Sequence, residues 1–199
     1  MKSWAKVVSI TLILFVIFGC SKANEIESYQ PNMFTESDLS VVGEKKRTKL
    51  TIGMDKTNLE KVIGKPISET GKLGVQYNGI TVFYRGNKVS GFVIRERQEN
   101  ENKYITSRGL EIDNVMNQLI EKYGDSGKIE EVGMKNSKFP KDKNVVYIFD
   151  LKQNTIIADF SKVQNPEDTY VISTIFDSQK EDKLVHILIG DYNFAVLTK

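Results

Sequence analysis

The feature that most limits how this chain can fold is a pattern that recurs at a shift of 60 residues. The first copy runs from Ile52 through Leu59, Ile63 and Gly64 to Pro66. The second runs from Ile112 through Leu119 and Tyr123 to Gly124. Each position has a mechanical role. The isoleucine ends an extended entry segment. The leucine and the apolar residue four later share one face of a helix. The glycine takes the left-handed conformation that stops that helix. Pro66 follows the first stop, as expected where a chain cannot resume a helix.

The first helix is expected over Asp55 to Ile63, with Asp55 as N-cap and Leu59, Val62 and Ile63 facing inward. In the second, Met116, Leu119, Ile120 and Tyr123 fall on one helical stripe, and Asp113 can cap its start. Strands follow each helix. Val75 to Tyr77 and Ile80 to Tyr84 flank Asn78-Gly79, a pair suited to a two-residue hairpin. A turn over Arg85 to Lys88 then leads into Val89 to Arg95. In the second half, strands are expected at Val145 to Leu151, Thr155 to Phe160, Tyr170 to Phe176, Leu184 to Ile189 and Tyr192 to Leu197. Gly190-Asp191 would join the last two as a hairpin. Residues 125–143, rich in Lys, Gly and Ser, are expected to form a mobile loop.

A helix followed by antiparallel strands, twice over, predicts an α+β fold. Two tandem helix-then-sheet units, 48–105 and 106–199, would pack as one or two small domains behind a leader (1–19) and a flexible tether (20–47). Tether residues 21–47, treated as coil, would reach about 30 Å root-mean-square. Phe34 to Val42 within them is the piece with enough apolar side chains to dock on the domain.

Gly53 to Pro66 (Gly-Met-Asp-Lys, Leu-Glu, Ile-Gly-Lys-Pro) is similar to the motif that opens small lipoproteins of the SmpA/OmlA (BamE) type. Thr106-Ser-Arg-Gly109-Leu-Glu-Ile112, with the helix after it, resembles a segment of uncharacterised lipoproteins of Gram-positive bacteria. Asp113 stands where the first copy has Gly53. The tandem arrangement is similar to the β-lactamase-inhibitor-protein-like fold. These motifs cover about 35 residues of the chain. They specify a helix–turn–strand shape and no reaction. The first resemblance implies a role in outer-membrane assembly. The Lys-, Asn- and Ile-rich composition fits a Gram-positive source better.

The N-terminus gives the chain an address. Lys2 and Lys6 precede an uncharged apolar run from Val7 to Gly19, which ends at Cys20, the one cysteine. The run is short of the roughly 20 residues that span a bilayer. A basic start, an apolar middle and a small residue before the junction describe a cleaved export signal. Ile17-Phe18-Gly19-Cys20 looks like a bacterial lipobox. That resemblance implies that Cys20 is lipidated on sulfur, becomes the first mature residue and holds the protein on the extracytoplasmic face of the membrane. Lys2 and Lys6 are the leader's only charges, so their loss takes the formal charge from +2 to zero. A neutral protein lacks the electrostatic footprint of nucleic-acid binding. Lys45, Lys46 and Arg47 form a local basic cluster, read as a solvated linker end.

No catalytic set stands out. His186, the one histidine, lies in an apolar strand pattern, too little for a triad or a zinc site. No phosphate-binding glycine loop occurs. Glu130, Glu131, Glu167, Asp168, Asp177, Glu181 and Asp182 lie in expected loops among lysines and read as solvated charge. The expectation is therefore a non-enzyme without cofactor or metal. Its partners would be the membrane, through Cys20, and an envelope protein. The aromatics on the strands are mostly core. A few tyrosines on a concave face would suit protein binding. The remaining alternative is a small-ligand binder or a carboxylate enzyme.

Overall fold

The computed structural model describes residues 29–45, 47–69, 74–96, 98–133 and 141–197. Cys20 and the leader lie outside the described residues, as do Lys46 and residues 134–140.

The fold is mainly β, which corrects the α+β expectation. Its centre is a single nine-stranded antiparallel sheet. Along that sheet lie β3 (Ser68–Glu69), β4 (Val75–Tyr77), β5 (Ile80–Arg85) and β6 (Lys88–Arg95). Then come β12 (Lys183–Asp191), β11 (Thr169–Asp177) and β9 (Asp142–Asp150), with β8 (Lys128–Val132) and β10 (Thr155–Ile157) sharing the far edge of β9. The two halves of the chain meet where β12 pairs with β6, His186 opposite Arg95 and Gly190 opposite Gly91. These nine strands therefore form one continuous surface that draws on both halves of the chain. Two helices of eight residues, α1 (Lys56–Ile63) and α2 (Met116–Tyr123), and one of six, α3 (Tyr192–Leu197), complete the described helices longer than one turn.

The recurring pattern acts through the same backbone contacts at both sites. The Gly53 N–H donates to the Val89 carbonyl at 2.8 Å, and Val89 N–H to the Met54 carbonyl at 2.9 Å. Asp113 and Leu184, then Leu184 and Asn114, repeat this at 2.9 and 2.8 Å. Gly53 has φ +84° and Asp113 φ +73°, so the second site holds with an aspartate a conformation that usually falls to glycine or asparagine. Asp113 shapes this turn and does not cap α2. The first turn of α2 is closed by Gln118, whose Oε1 accepts from Val115 N–H at 2.9 Å. Asp55 stands at the α1 N-cap, but its carboxylate makes no cap bond and pairs with Lys88 at 3.4 Å. Gly64 and Gly124 stop the helices at φ +94° and +91°, both with ψ near 180°. That is a region open essentially to glycine alone, and not the left-handed helical one.

Leu59, Leu119 and Tyr123 are buried against the sheet, whereas Ile120 is exposed. The hairpin over Asn78-Gly79 forms with Tyr77 opposite Ile80, and Gly79 at φ +82° supplies its positive φ. The hairpin after Arg85 closes through Gly86-Asn87.

Three further expectations are corrected. Residues 125–143 are not one loop, because Lys128–Val132 forms β8 on β9. The strand expected to reach Phe160 ends at Ile157, and Phe160–Lys162 is a 3-10 turn. Tyr192–Leu197 is α3, not a strand. Asp191 Oδ1 accepts from Phe194 N–H at 2.9 Å and caps that helix, so Gly190-Asp191 makes no hairpin. The glycines have another use. A Cβ on Gly91 or Gly190 would lie 2.2 Å from the Phe194 ring, and their bare backbones let α3 lie on the sheet.

The segment read as tether enters the fold. From Phe34, which is 5% exposed, it packs into the core. Glu36–Leu39 forms a 3-10 turn, and β1 (Ser40–Gly43) pairs with β2 (Thr48–Thr51) and β7 (Tyr104–Thr106) in a separate three-stranded sheet. The main core unites this small sheet, both longer helices and one face of the large sheet.

Candidate functional site

The first element of the site is a buried clamp. Arg108 follows β7 in a turn, and its side chain is 1% exposed. Its Nε donates to Asp38 Oδ1 at 2.6 Å and its Nη2 to Asp38 Oδ2 at 2.8 Å. Nη1 donates to the carbonyls of Gln30 at 3.1 Å and Lys122 at 2.7 Å, and Nη2 also reaches the Met33 carbonyl. The guanidinium lies 4.8 Å from the Tyr123 ring centre, 5.0 Å from that of Tyr29 and 5.3 Å from that of Phe34. A planar fork with five donors suits this task, and an ammonium would not. Phe34 stacks on Phe149 at 4.3 Å. Asn32 N–H donates to the Tyr123 carbonyl at 2.9 Å, and Asn32 Oδ1 sits where a Cβ on Gly124 would be, 2.0 Å away. Residues 29–43 are thus strapped to the end of α2.

The second element is the sheet face turned away from α1 and α2. Residues directly opposite in an antiparallel pair share a face. One row therefore reads Asn144, Ile175, His186, Arg95, and the next Val146, Ser173, Leu188, Val93, Thr81. The row beyond carries Val171, Gly190, Gly91 and Phe83. Over it Phe194 of α3 meets Phe83 at 4.4 Å between ring centres. Ala195 packs with Val146, Ile148 and Val171, and Phe160 joins them. In the first row Asn144, Ile175 and His186 are half-buried and Arg95 is exposed. Two recesses open beside these rows. One, of about 160 Å³, is lined by Asn144, Ser173, Ile175, His186 and Leu188. The other, of about 190 Å³, is lined by Gln76, Thr81, Val93, Arg95 and Glu101.

The chemistry of this face is mild. Ser173 Oγ donates to Asn144 Oδ1 at 2.8 Å. Burial, helped by the charge of Arg95, holds the His186 imidazole below its usual range, so it is neutral at neutral pH. His186 lies among apolar and amide neighbours, with Arg95 opposite it on β6. The strand tyrosines are not among these rows: Tyr77 and Tyr147 are buried in the main core, and Tyr84, Tyr170 and Tyr192 are half-buried.

The carboxylates singled out from the sequence are spread out. Glu130 pairs with Lys128 at 2.8 Å, Glu131 with Lys141 at 2.7 Å, Asp168 with Lys152 at 3.9 Å and Asp182 with Lys143 at 2.7 Å. Asp177 caps a 3-10 turn through Gln179 N–H, while Glu167 and Glu181 are exposed. Among the described residues no three His, Cys, Asp or Glu side chains gather where they could hold a metal ion, and no helix is long and apolar enough to cross a membrane.

Cys20, the expected lipid attachment, lies outside the described residues. The clamp was missed from the sequence. A weak signal exists in Thr35-x-x-Asp38, the spacing of a capping box, and Thr35 N–H does donate to Asp38 Oδ2 at 2.9 Å. That spacing names one partner and cannot name Arg108, 70 residues away. Comparison with protein-family models, curated proteins and solved structures finds no match for this chain.

Proposed function

We propose that this protein is a non-enzymatic lipoprotein of the cell envelope, anchored through lipid on Cys20, and that the partly exposed row on its outer sheet face binds another protein. The address comes from the basic, apolar and Gly19-Cys20 succession of the leader. The observation that carries the binding role is the partly exposed row Asn144, Ile175, His186, Arg95, which crosses the seam between the two halves of the sheet. The recesses beside it hold about 160 and 190 Å³. Small-molecule sites usually offer about 300–1,000 Å³. A shallow face with amide, hydroxyl, aliphatic and arginine groups suits protein side chains better.

The test is photo-crosslinking in intact cells. A photoreactive residue at Ser173 or Ile175 is expected to capture a discrete partner band that the same residue at Asn154, in the exposed turn before β10, does not. Equal yields from all three positions would remove this face as the binding surface.

The resemblance of Gly53 to Pro66 supports a second reading, an outer-membrane assembly lipoprotein of the SmpA/OmlA type. It requires a source with an outer membrane, and a single-membrane source rules it out.

A further inference from the structure

We infer that the end of the molecule carrying Tyr29, Gln30 and Met33 is its membrane-facing surface, and that a lipid headgroup layer is what this surface meets. The inference rests on the proposed lipid anchor at Cys20.

The fold grips the chain from residue 29 onward. Arg108 holds the Gln30 and Met33 carbonyls, the Tyr29 hydroxyl donates to the Ser107 carbonyl at 3.2 Å, and Asn32 is bonded to Tyr123 and Asp125. Only nine residue steps separate Cys20 from Tyr29. Whatever their path, nine steps span at most about 31 Å, at the chain's limit of roughly 3.4 Å each. A domain of this size is about 40 Å across, taken from the usual scaling of radius of gyration. The tether is shorter than the molecule is wide, so the end it enters stays against the bilayer.

That end has interfacial character. A cleft of about 710 Å³ is lined there by Tyr29, Met33, Thr35, Glu36, Lys49 and Arg108 among others. Met33 is 42% exposed, and Lys49 stands at the same cleft. An apolar side chain and a tyrosine beside a lysine suit the boundary between headgroups and water. The opposite edge of the large sheet lies far from it. β3 stands six strand intervals from β9, which is about 29 Å at the usual strand spacing. Ile67, 64% exposed, marks that far edge.

The test uses the mature lipidated protein in vesicles of phosphatidylethanolamine and phosphatidylglycerol containing a headgroup-attached nitroxide quencher. The Cys20 sulfur carries the lipid, so Met33→Cys or Ile67→Cys offers a single thiol for a fluorophore. Met33 contributes its backbone carbonyl to the clamp, and changing its side chain leaves that bond in place. The expected result is loss of most fluorescence at position 33 and little at position 67. Equal quenching at both positions, stronger quenching at 67, or none at either while the protein floats with the vesicles would overturn the inference. The last of these would mean that the surface is held off the bilayer. Failure to float at all would instead overturn the lipid anchor itself. A variant with about twenty Gly/Ser residues inserted between positions 28 and 29 raises the limit to about 99 Å, more than the width of the molecule, and should abolish the difference. Persistence of the difference in that variant would overturn the tether as its cause.

Discussion

Arg108 and Asp38 form a bidentate ion pair, 2.6 and 2.8 Å long, with both side chains inside the fold. Asp38 is 0% exposed and belongs to a segment whose composition reads as tether. One buried pair thus turns a stretch of polar sequence into a fixed part of the domain. Removing one partner strands the other charge without its counterion. Asp38→Ala is expected to cost about 3–5 kcal/mol in urea unfolding. Arg108→Met should cost at least as much, because it also strips the Gln30, Lys122 and Met33 carbonyls of their donor, and the double variant Asp38→Leu with Arg108→Met should cost clearly less than the two single losses added together. Additive losses would show that the pair is not the source of the stability.

Gly91 and Gly190 lie under Phe194, and the φ of Gly91 suits any residue. Gly91→Ala therefore tests close approach alone. The added Cβ, 2.2 Å from the ring, should displace α3 and lower stability by about 1–3 kcal/mol, the usual range for overpacking. Phe194→Leu in the same chain should recover part of that loss. Additive losses in the double variant would contradict the packing argument.

Asp191 carries two loads. It caps α3 through Phe194 N–H and accepts from Arg85 Nη2 at 2.7 Å. Asp191→Asn retains a cap acceptor, whereas Asp191→Ala has none. The alanine variant should lose about 1 kcal/mol relative to asparagine and exchange the amide protons of residues 192–196 faster. Matching exchange in the two variants would remove the cap as the reason that this segment is helical.

His186 makes stability depend on pH in a definite direction. Its folded pKa lies below the unfolded value of 6.5, because burial and then Arg95 disfavour the charged ring. The unfolded chain therefore binds the proton first. The histidine's contribution is fully present above pH 6.5 and is lost as the pH falls from there through the folded pKa. His186→Asn should flatten that part of the melting-temperature profile. A wild-type profile that rises on acidification through this range would reverse the sign and refute the assignment.

What was legible in the sequence was what neighbours decide. Leu59 and Leu119 at helical spacing, the stops at Gly64 and Gly124 and the turn at Asn78-Gly79 are local matters, and each is found in place. What was misread depends on distant residues. Tyr192 to Leu197 carries alternation that suits a strand, but the cap at Asp191 and the space above Gly91 make it a helix. Lys128 to Val132 reads as a charged loop because its strand borrows order from β9, and its own side chains are mostly exposed. The α+β expectation failed for a related reason. Two short helices are conspicuous in sequence, and the pairing of β6 with β12 that makes one sheet leaves no local mark. Asp38 alone reads as a polar residue, and Arg108 alone as a turn charge.

Lipid on Cys20 underlies both the proposed function and the membrane-facing surface. The most direct measurement is the intact mass of the membrane-fraction protein from wild type and Cys20→Ala. The expected wild-type species begins at Cys20 and carries a diacylglycerol-sized addition, absent in the variant. An unmodified wild-type chain, or one that still carries residues 1–19, would contradict it.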